Sequence, residues 1–330
     1  MSRIYDALQK SQGENPSTPP LVSPQPEVAA APVPPAVEMP PMMAEDSAAA
    51  TLSGVPADVA AVLPRSVISS SPTDASWLHV PAERVLRPLP QPEQRLVSIA
   101  EPDGVGAEMF RVLATRLAHM QRKRRLQRLL ITSSESSEGK SVVATNLALA
   151  LCRRPNERVL LVEADLRCPT ARTLLTSSFL PGIAEWSAGK LPVNDLLYRV
   201  NDLPLWFLSA GKAVEEPMPL LESESFAKLL EAIASSFDWV LLDGTPMLPM
   251  ADAASLSRLS DGVLVVVREG RTRRRVLSKA LRSIDESKLV GMVFNGASML
   301  NIRYSSYYGK YGKSKKALSS ESEKVHAATA

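Results

Sequence analysis

Cysteine is scarce: Cys152 and Cys168 are the only two in 330 residues. Two thiols cannot build a disulfide framework or a four-thiolate metal site. An excess of one charge is also missing, since 38 basic against 35 acidic residues leave a formal charge of +3. That balance argues against a dedicated polyanion binder and against an acidic solvating tail. No stretch approaches the ~18 consecutive apolar residues of a membrane span. The opening segment MSRIYDALQKSQ carries Arg3, Asp6 and Lys10 and lacks the apolar core of a secretory signal. The expectation from these absences is a cytoplasmic chain with both thiols reduced.

Proline is what the sequence holds in quantity, and unevenly. Of 27 prolines, 17 fall in residues 1–100, a density that no helix or central strand tolerates. Residues 1–12 are expected to form a short helix, with Ser2 as N-cap and Ile4 and Leu8 on one face. Residues 13–92 are rich in Pro, Ala and Ser; burial cannot offset chain entropy there, so they read as a disordered linker. A folded domain is expected over 93–302 and a flexible tail over 303–330.

Within that domain, RLVSI at 95–99 reads as a short edge strand and 107–125 as a helix with Met109, Leu113, Leu117 and Met120 at helical spacing. Strands follow at 129–132, 159–165, 205–211, 239–243, 262–267 and 289–295. Helices are expected at 140–152, around 226–234 and at 273–284. Near-continuous apolar strands separated by helices imply an α/β fold, doubly wound, with a mostly parallel sheet covered on both faces.

The strand at 129–132 runs into SSESSEGKS and then a helix. Gly-Lys-Ser at a strand–helix junction is the phosphate-contacting part of a P-loop. Backbone N–H groups and the helix N-terminus surround phosphates there; Lys140 would reach the β/γ oxygens and the Ser141 hydroxyl an Mg²⁺ ion. The first glycine of the usual pattern is replaced by Ser134. Glu163 and Asp165 end the second strand, with Arg167 following, and Asp243 ends another. Ligand sites of open α/β sheets lie beyond the carboxyl ends of strands, so three carboxylates beside this loop suggest an Mg²⁺–nucleotide site.

ITSSESSEGKS at 131–141, VLLVEADLRCPT at 159–170 and FDWVLLDGTP at 237–246 resemble the Walker A, Walker A′ and Walker B motifs of bacterial tyrosine autokinases, the capsular and exopolysaccharide co-regulators. EMFRVLATRL at 108–117 resembles the helix before that family's first strand, GMVFN at 291–295 its late adenine-side strand, and RYSSYYGKYG at 303–312 its C-terminal tyrosine cluster. The resemblance implies a P-loop domain using ATP and Mg²⁺. It implies Lys140, Glu163, Asp165, Arg167 and Asp243 as catalytic, and Ser136, Ser137, Glu138, Gly139, Lys140, Ser141, Val142 and Asn295 around the nucleotide. Ser141, Asp165 and Asp243 would hold the metal, with Glu163 or Asp165 as the base for the tyrosine hydroxyl. Tyr304, Tyr307, Tyr308 and Tyr311, four of the six tyrosines, would be acceptors on a neighbouring chain. Nine residues from Asn295 to Tyr304 span little more than ~30 Å, which suits transfer to a neighbour.

Three departures from the family pattern are visible. Ser136 and Ser137 replace Pro and Gly, Glu163 replaces an aspartate, and Ala114 replaces the last arginine of the Glu-x-x-Arg-x-x-Arg assembly motif begun by Glu108 and Arg111. A serine at 137 is expected to carry a penalty of order 1 kcal/mol if that position needs a positive φ. Combining Ser137→Gly with Glu163→Asp is expected to raise autophosphorylation by roughly one or two orders of magnitude.

The partners implied by the resemblance are the cytoplasmic tail of a membrane polysaccharide co-polymerase and further copies of the chain. The basic run at 271–275 offers a surface for that partner or for anionic lipid at the inner face of the plasma membrane. Nucleic acid is not expected. Two other readings use the same residues. A partitioning or positioning ATPase would carry a lysine where Glu135 stands, and an ATP-responsive scaffold would regulate polysaccharide assembly without phosphorylating anything.

Overall fold

A computed structural model describes residues 80–88 and 95–297. In chain order the elements are β1 (Val85–Leu86), α1 (Val97–Ala100), α2 (Val105–Gln121), β2 (Arg128–Ser133), α3 (Lys140–Leu151) and β3 (Val159–Glu163). Next come α4 (Ala171–Leu175), α5 (Ile183–Ser187), β4 (Leu197–Val200), β5 (Leu205–Leu208), α6 (Met218–Leu221) and α7 (Glu224–Ala234). The last are β6 (Trp239–Asp243), α8 (Asp252–Leu259), β7 (Gly262–Arg268), α9 (Arg274–Leu281) and β8 (Leu289–Asn295).

The eight strands form one sheet in the order β1-β4-β5-β3-β6-β2-β7-β8. Every pairing is parallel except β4 with β5. Strands β2, β3, β5 and β6 lie inside the sheet, and flanking helices cover them. All five residues of β3 and all five of β6 are therefore buried, which is why their sequences are apolar without alternation. Helix α3 is buried on nearly every side, from Val143 to Leu151, rather than on the single face of Val143, Leu147 and Ala150 that its spacing suggests. Truncating a side chain such as Leu147 there removes about 2–5 kcal/mol of stability.

Register matters most for the site. Asp243 pairs with Ile131 of β2 on one side and with Glu163 of β3 on the other. The carboxyl ends of β2, β6 and β3 are thus level, and the P-loop leaves from the first of them.

Several expectations need correction. Residues 95–99 do not form a strand; Val97–Ala100 is a helical turn. Asn146 of α3 captures this segment, its Oδ1 accepting from the Ser98 N–H (3.2 Å) and its Nδ2 donating to the Arg95 carbonyl (2.8 Å). A backbone satisfied by a buried side chain has no need of a sheet partner. Residues 85–86, within the span read as linker, pair with Arg199 and Val200 as an edge strand. Helix α2 stops at Gln121, ahead of the basic run at 122–125. The strand at 205–211 ends at Leu208, and α9 covers only the middle of 273–284. The expected helix in 1–12 and the tyrosines at 304–311 lie outside the described residues.

Candidate active site

The P-loop, residues 134–139, joins β2 to α3. Its geometry requires left-handed backbone at two places, Ser137 (φ +62) and Gly139 (φ +95). Position 139 favours glycine because φ +95 strains any other side chain, and a Cβ there would also stand 2.0 Å from Asn295 Nδ2 and force that amide to shift. Ser137 is the strained member, as the missing glycine led one to expect. Ser137→Gly should stabilise the protein by about 1 kcal/mol, a gain that thermal unfolding would register.

Two contacts shape the loop from within. The Glu138 carboxylate is buried and accepts from the Ser134 N–H (2.8 Å) and the Glu135 N–H (3.3 Å). Asn295, at the end of β8, donates from Nδ2 to the Glu138 carbonyl (3.0 Å). Asn295 therefore braces the P-loop. Ser136 and Ser137 are exposed. The first-turn N–H groups of Lys140, Ser141 and Val142 have no intrahelical acceptors and present the positive end of α3 to an anion.

The acids at the strand ends have sharply different surroundings. Asp243 is fully buried and neither carboxylate oxygen has a hydrogen bond of ordinary geometry. Burial pushes its pKa up to about 7; the nearby Ser141 hydroxyl and Lys140 oppose the rise, while Glu163 and Asp165 add to it. Asp165 is also raised by burial, against the Cys168 N–H that donates to its Oδ1 (3.1 Å) and the Lys140 ammonium 3.9 Å from its Oδ2. The Ser141 hydroxyl shares a hydrogen bond with the Thr170 hydroxyl (2.8 Å).

A buried carboxylate with no hydrogen bond of ordinary geometry, beside a serine hydroxyl at a helix N-terminus, fits a hard divalent cation, which takes oxygen ligands and keeps several waters. Among the described residues no three His, Cys, Asp or Glu side chains gather around one point. A cation held by one hydroxyl, one or two carboxylates, phosphate and water needs no such cluster.

Glu163 does not present itself as a base. It is fully buried: Oε1 accepts from the Arg172 N–H (3.0 Å), and Oε2 from the Ser209 hydroxyl and the Ala210 N–H (3.1 Å each). The extra methylene is used to reach these donors on α4 and beyond β5. Shortening it with Glu163→Asp should leave buried N–H groups short of partners, at about 1–3 kcal/mol. The expected result is a lower melting temperature and lower activity, reversing the sign expected from sequence.

The Arg167 side chain spends its hydrogen bonds elsewhere than on the strand-end carboxylates. It forms a two-point pair with buried Asp252 at the start of α8 (Nε–Oδ2 2.6 Å, Nη2–Oδ1 3.2 Å) and donates to the Glu215 carbonyl (2.6 Å). Thr170 and Asp252 were not singled out from sequence. The signals available were a threonine just before a helix in RCPTA and an acid opening a helix in ADAAS, both of which read as ordinary caps. A cavity of about 640 Å³ lies at the opposite end of the strands, lined by residues such as Gln127, Arg158 and Asp238. Its Gln127 and Asp238 side chains are engaged with backbone groups.

No family model matches the chain. Tyrosine-protein kinase CpsD of Streptococcus agalactiae is 30% identical over 209 residues, which cover 62% of this chain and 90% of that protein. The chain belongs to the bacterial tyrosine autokinase family. The kinase domain of Escherichia coli tyrosine kinase ETK superposes on it with a TM-score of 0.56 at 27% identity, covering 62% of this chain and 82% of that structure. Succinoglycan biosynthesis transport protein ExoP of Rhizobium meliloti (strain 1021) is 31% identical over 236 residues, 67% of this chain but 30% of ExoP. No helix among the described residues is long and apolar enough to cross a membrane.

The three positions likened to an assembly motif, Glu108, Arg111 and Ala114, are engaged within the chain itself. Glu108 and Arg111 pair with each other within α2 (2.6 Å), and Arg111 also holds the Pro102 carbonyl (2.7 Å). Ala114, where the last arginine would stand, is 1% exposed and belongs to the core. An arginine could not be housed there without displacing its neighbours.

Proposed function

We propose that this chain is an ATP-dependent protein-tyrosine autokinase that regulates exopolysaccharide or capsule synthesis or export. The observation that carries the reading is the buried Asp243 carboxylate, with no hydrogen bond of ordinary geometry and only the nearby Ser141 hydroxyl and Lys140 ammonium to offset its burial, at the mouth of the P-loop. Burying a carboxylate unpaired is unfavourable and makes sense where a cation completes it. Mg²⁺, when bound, neutralises charge on the β- and γ-phosphates.

The chain's own groups do the rest. The N–H groups of residues 136–142 hold the phosphates, and Lys140 bridges to the β/γ oxygens. Ser141 and Asp243 would hold the metal, with Asp165 directly or through water. A tyrosine hydroxyl of ordinary pKa near 10 needs a base to attack. Asp165, less enclosed than Glu163 and raised in pKa, takes that proton as the P–O bond to ADP breaks and the bond to the phenolic oxygen forms. Arg167 with Asp252 holds the loop that carries Asp165.

The acceptors in this reading are Tyr304, Tyr307, Tyr308 and Tyr311 of a neighbouring chain. Chain length alone does not select the neighbour. Asn295 lies against the P-loop, so the ~30 Å reach of the next nine residues admits the chain's own site too, and transfer between chains rests on the family. The partners are further copies of the chain and the cytoplasmic tail of a membrane co-polymerase, with the protein cytoplasmic and peripheral at the inner membrane face. The exposed arginines 271, 273 and 275 suit that tail or anionic lipid.

The test mixes a Lys140→Met chain that keeps its tail with an active chain whose four tail tyrosines are changed to Phe. Label on the Lys140→Met chain supports transfer in trans. Labelling confined to intact chains, at a rate independent of concentration, would sink it.

A further inference from the structure

The contact between Glu138 and Thr272 joins the P-loop to a segment that the phosphate and metal roles leave unused. Thr272 lies between β7 and α9, inside the basic run at 271–275. Its hydroxyl donates to Glu138 Oε1 and accepts from the Arg268 N–H (2.9 Å), so its one proton and one lone pair are both engaged. The Thr272 N–H returns to the Arg268 carbonyl (3.0 Å), which fixes the residue in a tight turn at the end of β7.

The first half of the P-loop is gripped from two sides. On one, the Met247 and Leu248 N–H groups donate to the carbonyls of Ser133 (2.8 Å) and Ser134 (3.1 Å). On the other, Glu138 gathers the N–H groups of Ser134 and Glu135 with one oxygen and is itself anchored by Thr272 through the other. Glu138 is 1% exposed, so water does not readily replace a lost donor at Oε1. A buried carboxylate deprived of that donor turns toward solvent and releases the two N–H groups it was holding.

We propose that Thr272 is a positioning residue for nucleotide binding: it fixes the Glu138 carboxylate that gives the phosphate loop its shape before nucleotide arrives. The proposal rests on the nucleotide-binding reading of this loop and adds a residue to it from another part of the chain. Preorganised donors contribute to binding because no ordering remains to be done when the ligand enters. The Thr272 hydroxyl is taken up by Glu138 and the Arg268 N–H, so its removal should act on ATP affinity through the loop and not on the chemical step.

The experiment measures ATP binding by calorimetry, and kcat and KM for autophosphorylation, in full-length variants. Thr272→Val keeps the side-chain shape without the hydroxyl and should weaken ATP binding by about tenfold. KM should rise in parallel, with kcat within about threefold of the unaltered protein. Thr272→Ser restores the hydroxyl and should bind within about twofold of the unaltered protein, which separates the hydroxyl's role from any effect on folding. In a Glu138→Ala background, Thr272→Val should change ATP affinity no further. Unchanged ATP binding in Thr272→Val overturns the inference alone. So does a Thr272→Val effect that persists in Glu138→Ala, or a Thr272→Ser chain as impaired as Thr272→Val. Failure of the unaltered chain to bind ATP sinks the nucleotide reading and the inference with it.

Discussion

Replacing Lys140 with methionine should lower ATP affinity by at least ~100-fold while leaving the fold intact. The Lys140 side chain is 9% exposed, and its nearest anion is Asp165 at a loose 3.9 Å. That distance is too long for a strong ion pair, so the ammonium is available to a phosphate oxygen. A charge-assisted contact in a partly desolvated site is worth roughly twice a neutral hydrogen bond or more. Methionine matches the aliphatic stem of lysine and keeps its packing at the start of α3, so melting temperature should move by only a few degrees. Calorimetry with MgATP provides the check; affinity within threefold of the unaltered protein would remove the P-loop from the account.

Asp243→Asn should abolish metal-dependent activity and, at the same time, make the protein more stable. Burial raises the Asp243 pKa from the ordinary carboxylate range to about 7. Between about pH 4 and 7 the folded chain therefore retains a proton that the unfolded chain has lost. Unfolding stability falls as pH rises through that window, and above it the folded state carries a buried charge. Asparagine removes the titration, so the variant should gain up to a few kcal/mol over the parent at pH 8, and the gain should shrink toward pH 4. Binding of MgATP to the parent should tighten as pH rises to about 7 and level off beyond it, because the cation needs the ionised carboxylate. Activity of Asp243→Asn should fall by two orders of magnitude or more. Thermal unfolding with and without MgATP, across pH 5–8, separates the two effects. A variant less stable than the parent at pH 8 would mean that Asp243 already has a partner.

Much of this was legible in the sequence, for physical reasons that particular residues show. Strand β6 was read to the residue because a strand buried on both faces of a parallel sheet is apolar throughout and ends at Asp243; β8, a half-buried edge strand, was legible from its apolar run ending at Asn295. Gly-Lys-Ser was legible because backbone geometry at Gly139 leaves so little choice. The strained serine at 137 was legible for the same reason, as a departure from a position that wants glycine. What escaped depended on contacts between distant parts of the chain. RLVSI has strand-like composition, yet Asn146, far along the chain, makes it helical. Strands β1 and β4 are too short for a period to show and are held by each other and by β5. Glu163 looked like a lengthened catalytic acid until Arg172, Ser209 and Ala210 stood around it. Thr272 sat in a run of arginines that drew attention to charge and away from its hydroxyl.

In the proposed reaction the P-loop and Asp243 together move phosphate from ATP to the chain's own tyrosines. Mass spectrometry of the full-length chain after incubation with MgATP, beside Lys140→Met treated alike, tests it most directly. Phosphate on one or more of Tyr304, Tyr307, Tyr308 and Tyr311 in the active chain, and none in Lys140→Met, is the predicted result. Bound ATP with no phosphotyrosine anywhere in the chain, even with an activator's cytoplasmic tail supplied, would contradict it.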